Sequence, residues 1–188
     1  MKEIAMVKKN KNPIAEQSRQ WLIASLLSLM NEKDYSEITV TEIAEHALLS
    51  RRTFYRTFGS KEEILQQHSL SICEEYLSCF EIGFPYTLGQ IIEIYFTFWE
   101  QRLDFLRLLQ KNHLFYYLLE QFNKVLPSLH RIVRGQQEGY NNPMGLKIAL
   151  LASAGALWNI LAEWLQLEKR PAPKEMARMI LKAIEINS

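Results

Sequence analysis

The sequence predicts an all-α protein, and three observations predict it. Apolar residues recur at helical spacing almost from end to end of the 188-residue chain, with no stretch of strict two-residue alternation such as a half-buried strand would need. Pro, Gly and Ser/Thr-x-x-Glu patterns fall where the periodic stretches should start and stop. The composition, 48% hydrophobic and 23% charged, is that of a chain that folds and is too apolar for disorder.

Each element has its own justification. Pro13 opens a first helix that runs to about Glu32, with Ile14, Trp21, Leu22, Ala24, Ser25, Leu26, Leu29 and Met30 as its apolar stripe. Residues 31–37 break the pattern. Thr39, followed three residues later by Glu42, forms a capping box that satisfies two otherwise orphaned backbone donors and opens a second helix, whose buried side is Val40, Ile43, Ala44 and Ala47. Ser50 caps a short third helix, Gly59 ends it, and Ser60 with Glu63 forms a second capping box that opens a fourth. That fourth helix, from about Lys61 to Phe80, is long enough to leave one unit and enter another. Gly83 and Pro85 stop it, and five more helices follow, over about 87–102, 103–111, 113–134 with Pro127 as a kink or break, 145–167 and 174–186. The expected division is residues 1–60, an N-terminal arm and a unit of three helices, and residues 61–188, a larger helical unit.

The net charge of +1 conceals an imbalance: residues 1–61 hold ten Lys and Arg against seven Asp and Glu, whereas residues 62–188 hold twelve against fourteen. The longest strongly apolar run, Ile148 to Trp158, falls short of the roughly 18 to 20 residues that cross a bilayer, so no membrane span is expected. The basic start, MKEIAMVKKNKNPIAEQ, lacks the apolar core of a secretory signal, which predicts a cytoplasmic protein. Cys73 and Cys79 point about 240° apart on a helix and suit a reduced, buried pair rather than a disulfide or a metal clamp.

The stretch SRRTFYRTFGSKEE, residues 50–63, carries four cations before its first acid. At about 100° per residue, Phe54 and Phe58 share one face of the third helix, and Arg52 and Arg56 share the opposite one. Arginines four apart on a helix repel each other unless that surface meets anions. DNA offers such anions in its phosphates and, in the guanine edge, an acceptor pair that matches a guanidinium. A capped helix, a tight turn and a second short helix with a basic outer face describe a helix-turn-helix whose second member enters the major groove. The candidate DNA-binding residues are Ser50 as cap, Arg51, Arg52, Thr53 and Arg56 toward the bases, Tyr55 and Lys61 toward phosphates, and Thr39 and Thr41 as a second phosphate site.

The run ITVTEIAEHALLSRRTFYRTFGSKEEIL, residues 38–65, closely resembles the DNA-binding domain of the TetR family of bacterial transcription regulators. The resemblance rests on Ile43 and Ala44, Ala47, Ser50, Thr53 to Tyr55, Phe58 and the Ser-Lys-Glu-Glu run from Ser60, and reaches back to about Pro13. It implies a homodimer on a palindromic operator and a C-terminal domain that holds a small inducer and shares the dimer interface, with repression as the default. The family's phosphate contacts carry over to Tyr55 and Lys61, and its base-reading surface to Arg51, Arg52, Thr53 and Arg56. One position departs: the turn usually has glycine where this chain has Leu48, which predicts a shifted turn and an altered angle between the second and third helices.

Further along, Leu146 to Leu167 is apolar on nearly every side and rich in Ala, Ser and Gly, so a partner must cover what one core cannot. The eighth and ninth helices of two subunits are expected to form a four-helix interface. Tyr95, Trp99, Phe115, Tyr116 and Trp158 are candidate lining for a flat or apolar ligand, with Glu100, His113, Asn159 or Glu163 at its polar end. A regulator or co-activator that answers to a protein partner instead of a small ligand is the alternative. An enzyme is disfavoured: His46, His68, His113 and His130 are scattered, and no metal, phosphate-loop or cofactor motif accompanies them.

Overall fold

The computed structural model describes residues 13–134 and 142–186, and the N-terminal arm expected over residues 1–12 lies outside the described residues. The described elements are helical throughout. They comprise α1 (Pro13–Glu32), a 3-10 turn (Tyr35–Glu37), α2 (Val40–His46), α3 (Arg51–Thr57), α4 (Lys61–Leu77), α5 (Leu88–Glu100), α6 (Leu103–Lys111), α7 (Phe115–Arg134), α8 (Pro143–Gln166) and α9 (Pro173–Ile186). The all-α expectation therefore holds, with ends within a few residues of those expected. Pro127 neither breaks nor interrupts α7.

The chain forms two compact units, one ending at His68 and the other beginning at Ser69, so the boundary falls inside α4. In the first unit α1, α2 and α3 pack on one another. Leu22, Leu26, Met30, Ile43, Phe54, Phe58, Ile64 and Leu65 are essentially inaccessible to solvent. The stripe on α1 is narrower than expected: Ser18 and Ile23 are buried, while Ile14, Trp21 and Ala24 are exposed, Trp21 to 47%. Val40 is half-buried rather than buried.

In the second unit α9 packs along α5, and α6, α7 and α8 pack on one another. Its centre is aromatic. Tyr76, Tyr95 and Phe122 lie with ring centroids 5.6 to 6.0 Å apart, and Trp99 and Phe122 both approach Trp158 within 6.5 Å. Burial pushes the Cys73 thiol up to about 12 and the Tyr76 and Tyr95 hydroxyls well above their ordinary range, so these groups stay neutral. The paired-cysteine expectation is half right, since Cys73 is buried and Cys79 is exposed.

The apolar stretch of α8 is longer than the run Ile148 to Trp158 on which the absence of a membrane span was expected. The helix is 24 residues long with an 18-residue window of mean hydropathy 1.5, which is long and apolar enough to cross a membrane. The run Ile148 to Trp158 is its unbroken apolar centre, and the helix, expected over about 145–167, continues past Lys147 and Glu163. Only 17% of that window is buried within the chain. Met144, Ile148 and Leu151 stand exposed along it.

Candidate nucleic-acid interface

The helix α3 is short, and its two faces differ sharply. Phe54 and Phe58 are 0% and 1% exposed, with Phe58 also carrying the Arg19 guanidinium over its ring, 4.8 Å from the centroid. Full burial of each phenylalanine contributes roughly 2 to 3 kcal/mol, which fixes the rotation of α3 about its axis. That rotation leaves Arg51, Arg52, Tyr55 and Arg56 exposed and Thr53 half-exposed. None of these three guanidinium groups forms an ion pair within the described chain, and α3 holds no acid. Ser50 caps the helix, accepting a hydrogen bond from the Thr53 backbone N–H at 3.1 Å, and the Ser50 and Thr53 hydroxyls lie 3.0 Å apart.

What sets α3 against α2 is the turn between them. Leu48 adopts φ 55° at the end of α2, its N–H donates to the Glu45 carbonyl at 2.9 Å, and the Leu49 N–H donates to the Ala44 carbonyl at 2.8 Å. These two bonds make the Schellman closure that usually places glycine at the left-handed position. The expected shift of the turn does not occur. The leucine takes the conformation itself, with its side chain 93% exposed.

The remaining candidates are more committed within the fold. The Thr39 capping box has both halves: its hydroxyl accepts from the Glu42 N–H, and its own N–H donates to the Glu42 carboxylate at 2.8 Å. Lys33 closes on the same carboxylate. The Lys33 contact and the two Thr39 hydrogen bonds hold Glu42 at about 2, below its ordinary 4.5. The start of α2 thus already carries an anion beside Thr39, while Thr41 is half-exposed.

Lys61 departs furthest from the role assigned to it. Its ammonium donates to the Tyr35, Ser36 and Ile38 carbonyls at 2.7, 3.3 and 2.8 Å and lies 4.4 Å from the Tyr35 ring centroid. An ammonium has three donors, and all three are taken. The Tyr35 hydroxyl in turn donates to the Glu62 carboxylate at 3.1 Å. The second capping box is also modified: Ser60 accepts from the Glu63 N–H at 3.2 Å, but the Glu63 carboxylate reaches past Ser60 to the Gly59 N–H at 2.6 Å. A β-carbon at Gly59 would sit 3.1 Å from that carboxylate, so here the glycine serves close approach. The sequence reading passed over this network, which ties residues 33–38 to both helix starts. Its one sequence signal is Lys33 and Tyr35 beside the capping box.

The proposed ligand residues divide. Tyr95, Trp99 and Trp158 are buried and share the aromatic core, Phe115 is half-buried with its ring 4.6 Å from Trp158, and Tyr116 is 55% exposed and stacks on Tyr117. The Tyr95 hydroxyl, the Trp99 indole N–H and the Gln121 amide nitrogen are buried without a hydrogen-bond partner. The Trp99 N–H is near enough to the Tyr95 oxygen to act on it electrostatically, yet misses hydrogen-bond geometry. Glu100, Asn159 and Glu163 are exposed, and His113 is exposed at φ 58° in the turn after α6. No group of His, Cys, Asp and Glu suited to a metal occurs among the described residues.

Residues 22–67 match the model of the bacterial regulatory proteins of the tetR family. The chain is 30% identical over 87 residues to the HTH-type transcriptional regulator AlkX of Mycobacterium tuberculosis, a stretch covering 44% of this chain and 41% of that regulator. In fold it is similar to Lin0861 of Listeria innocua, with a TM-score of 0.78 at 13% identity and 94% of each chain covered. It is also similar to a TetR-family repressor, AlkX of Dietzia sp. strain DQ12-45-1b, implicated in biodegradation of n-alkanes. That likeness has a TM-score of 0.54 at 18% identity and covers 89% of this chain and 95% of the other.

Proposed function

We propose, from the match of residues 22–67 to the model of the bacterial regulatory proteins of the tetR family, that this chain is a sequence-specific DNA-binding transcription regulator, a repressor that binds a palindromic operator as a homodimer. Family members are transcription factors rather than enzymes. The observation that carries the reading is α3 itself, with two phenylalanines buried and three unpaired arginines outward. Arg52 and Arg56 stand on one face where a guanidinium can donate two parallel hydrogen bonds to guanine O6 and N7. Arg51, Thr53 and Tyr55 flank them, and Tyr55, 51% exposed, offers its hydroxyl to a phosphate. Thr41 is the freer of the two threonines at the start of α2. Lys61 acts by fastening the 35–38 turn and so placing α2, and any phosphate contact it makes requires giving up those carbonyls.

A homodimer is supported by the apolar cleft between α8 and α9, about 710 Å³, whose walls include Ala152, Leu157, Ile160, Met176 and Ile180 above Leu88 and Ile92 of α5. A second copy contributing the same two helices would fill it. An inducer would act through the aromatic core, where the orphaned Tyr95, Trp99 and Gln121 groups each cost about 1 to 3 kcal/mol until something pairs with them. The alkane connection of the Dietzia repressor agrees with an apolar effector. Because α4 holds residues of both units, it is the covalent route from effector to operator.

The test is selection of bound duplexes from a random pool, followed by affinity against salt. A palindrome and a slope of about −0.9 in log affinity per log salt for each phosphate contact are expected. Arg52→Ala relaxes preference at one base pair at a cost of about 1 to 3 kcal/mol, whereas Lys61→Ala weakens binding to every sequence and lowers the melting temperature as well. Binding that ignores salt, or an enriched pool with no symmetric site, overturns the reading.

A further inference from the structure

The second unit has a cleft that the regulator reading does not use. It lies between the end of α4, the connection to α5 and the outer face of α5, with a volume of about 630 Å³, within the range of small-molecule sites. Its aromatic wall is Phe84, Tyr86 and Phe98. Phe84 and Tyr86 pack with ring centroids 4.6 Å apart and planes tilted at 55°, and Phe84 keeps 43% of its surface exposed. Tyr86 is held in place because its oxygen accepts a hydrogen bond from the Glu81 backbone N–H at 2.9 Å. Phe98 is buried, and its ring already faces a cation, the Arg102 guanidinium 3.8 Å from its centroid.

The charge of the lining is one-sided. Glu81 and Glu93 contribute carboxylates, Gln90 and Gln101 contribute amides, and the nearby cation, Arg102 over the Phe98 ring, is outside the lining and paired with Glu75. Neither carboxylate forms an ion pair within the described chain, whereas Glu75 nearby is paired with Arg102 at 2.8 Å. A neutral apolar ligand would strip water from two carboxylates without repaying the cost, and an anion would be repelled. A cation answers both features, since the Phe84 and Tyr86 rings and the two carboxylates attract it together.

We propose that this cleft is a binding site for an organic cation of the substituted-ammonium class, distinct from the aromatic core. The proposal stands on the cleft alone and does not depend on DNA binding. Cys79 lines the cleft and is exposed while Cys73 is buried, so alkylation of Cys79 reports occupancy directly.

The experiment uses choline as probe and 3,3-dimethylbutan-1-ol as its uncharged isostere, with the full chain and N-ethylmaleimide as the thiol reagent. Choline is expected to slow Cys79 alkylation in a saturable way and the alcohol to leave it unchanged. The Glu81→Gln, Glu93→Gln double variant should weaken choline about tenfold or more, and Phe84→Leu several-fold, with melting curves confirming that both variants fold. Equal protection by the alcohol, unchanged choline affinity in the double variant, or no protection by choline at any soluble concentration overturns the proposal. Operator binding, measured separately, is expected to be unaffected in the double variant, so failure of either reading is seen without the other.

Discussion

At Leu48 a side chain stands where the backbone asks for none. The left-handed conformation costs a leucine about 1 to 2 kcal/mol, and a residue 93% exposed recovers almost nothing through packing. Leu48→Gly is therefore expected to raise stability by about 1 kcal/mol less the extra freedom glycine gains when unfolded, read as a higher urea midpoint at unchanged slope. A lower midpoint would mean that the leucine makes a contact the isolated chain lacks. Tyr95→Phe tests the opposite kind of residue. Its hydroxyl is fully buried without a partner, so losing it should stabilise the effector-free protein by up to about 1 kcal/mol in thermal melts. The same variant should blunt any response to an effector that pairs with that hydroxyl. The outward arginines and inward phenylalanines of α3 were legible from the helical period alone. The fate of Lys61 was not, because its acceptors lie 23 to 26 residues away across a turn that carries no periodic signal.

Helix starts are where sequence and structure agree most closely, since a cap is a local bargain between a side chain and an N–H three residues on. Thr39 and Ser50 cap as expected, and Thr87, whose cap was not anticipated, closes the start of α5 in the same way. At α2 the cap has a pH signature. The Glu42 carboxyl is depressed to about 2 in the folded state, so its contribution is complete above the ordinary value of 4.5 and disappears as pH falls toward 2. Acid titration should show unit-one stability falling across that window, and Glu42→Gln should flatten the profile there while lowering stability at neutral pH. The width of a buried stripe is less legible than its existence. Spacing placed Ile14, Trp21 and Ala24 with the core of α1, but the helices that cover it reach only the Leu22, Ile23 and Leu26 side. For α8 the helix itself was legible, since its expected span of about 145–167 holds, and the single charges at Lys147 and Glu163 fit within it because their side chains reach solvent.

For the whole molecule, the decisive quantity is how much apolar surface remains uncovered in one copy. Ile148 is 60% exposed, Leu151 44%, Met179 52% and Ile184 46%, all on α8 and α9. A dimer is expected to persist at micromolar concentration in sedimentation, and Ile148→Glu with Leu151→Glu should yield a 22.1 kDa species that keeps its helicity but loses operator affinity. A wild-type monomer at that concentration would leave α8 without a partner and defeat the dimer. The cation cleft was invisible in the sequence because its walls come from a helix end, a loop and a second helix that only folding assembles.

The four tryptophans give the protein a built-in optical division of labour. Trp21, alone in the first unit, is about half exposed and should emit at longer wavelength, while Trp99, Trp158 and Trp164 are buried in the second and should emit further to the blue. Quenching by iodide should silence the first and spare the rest, so a single cuvette can follow the first and the second unit of the chain separately, without a dye.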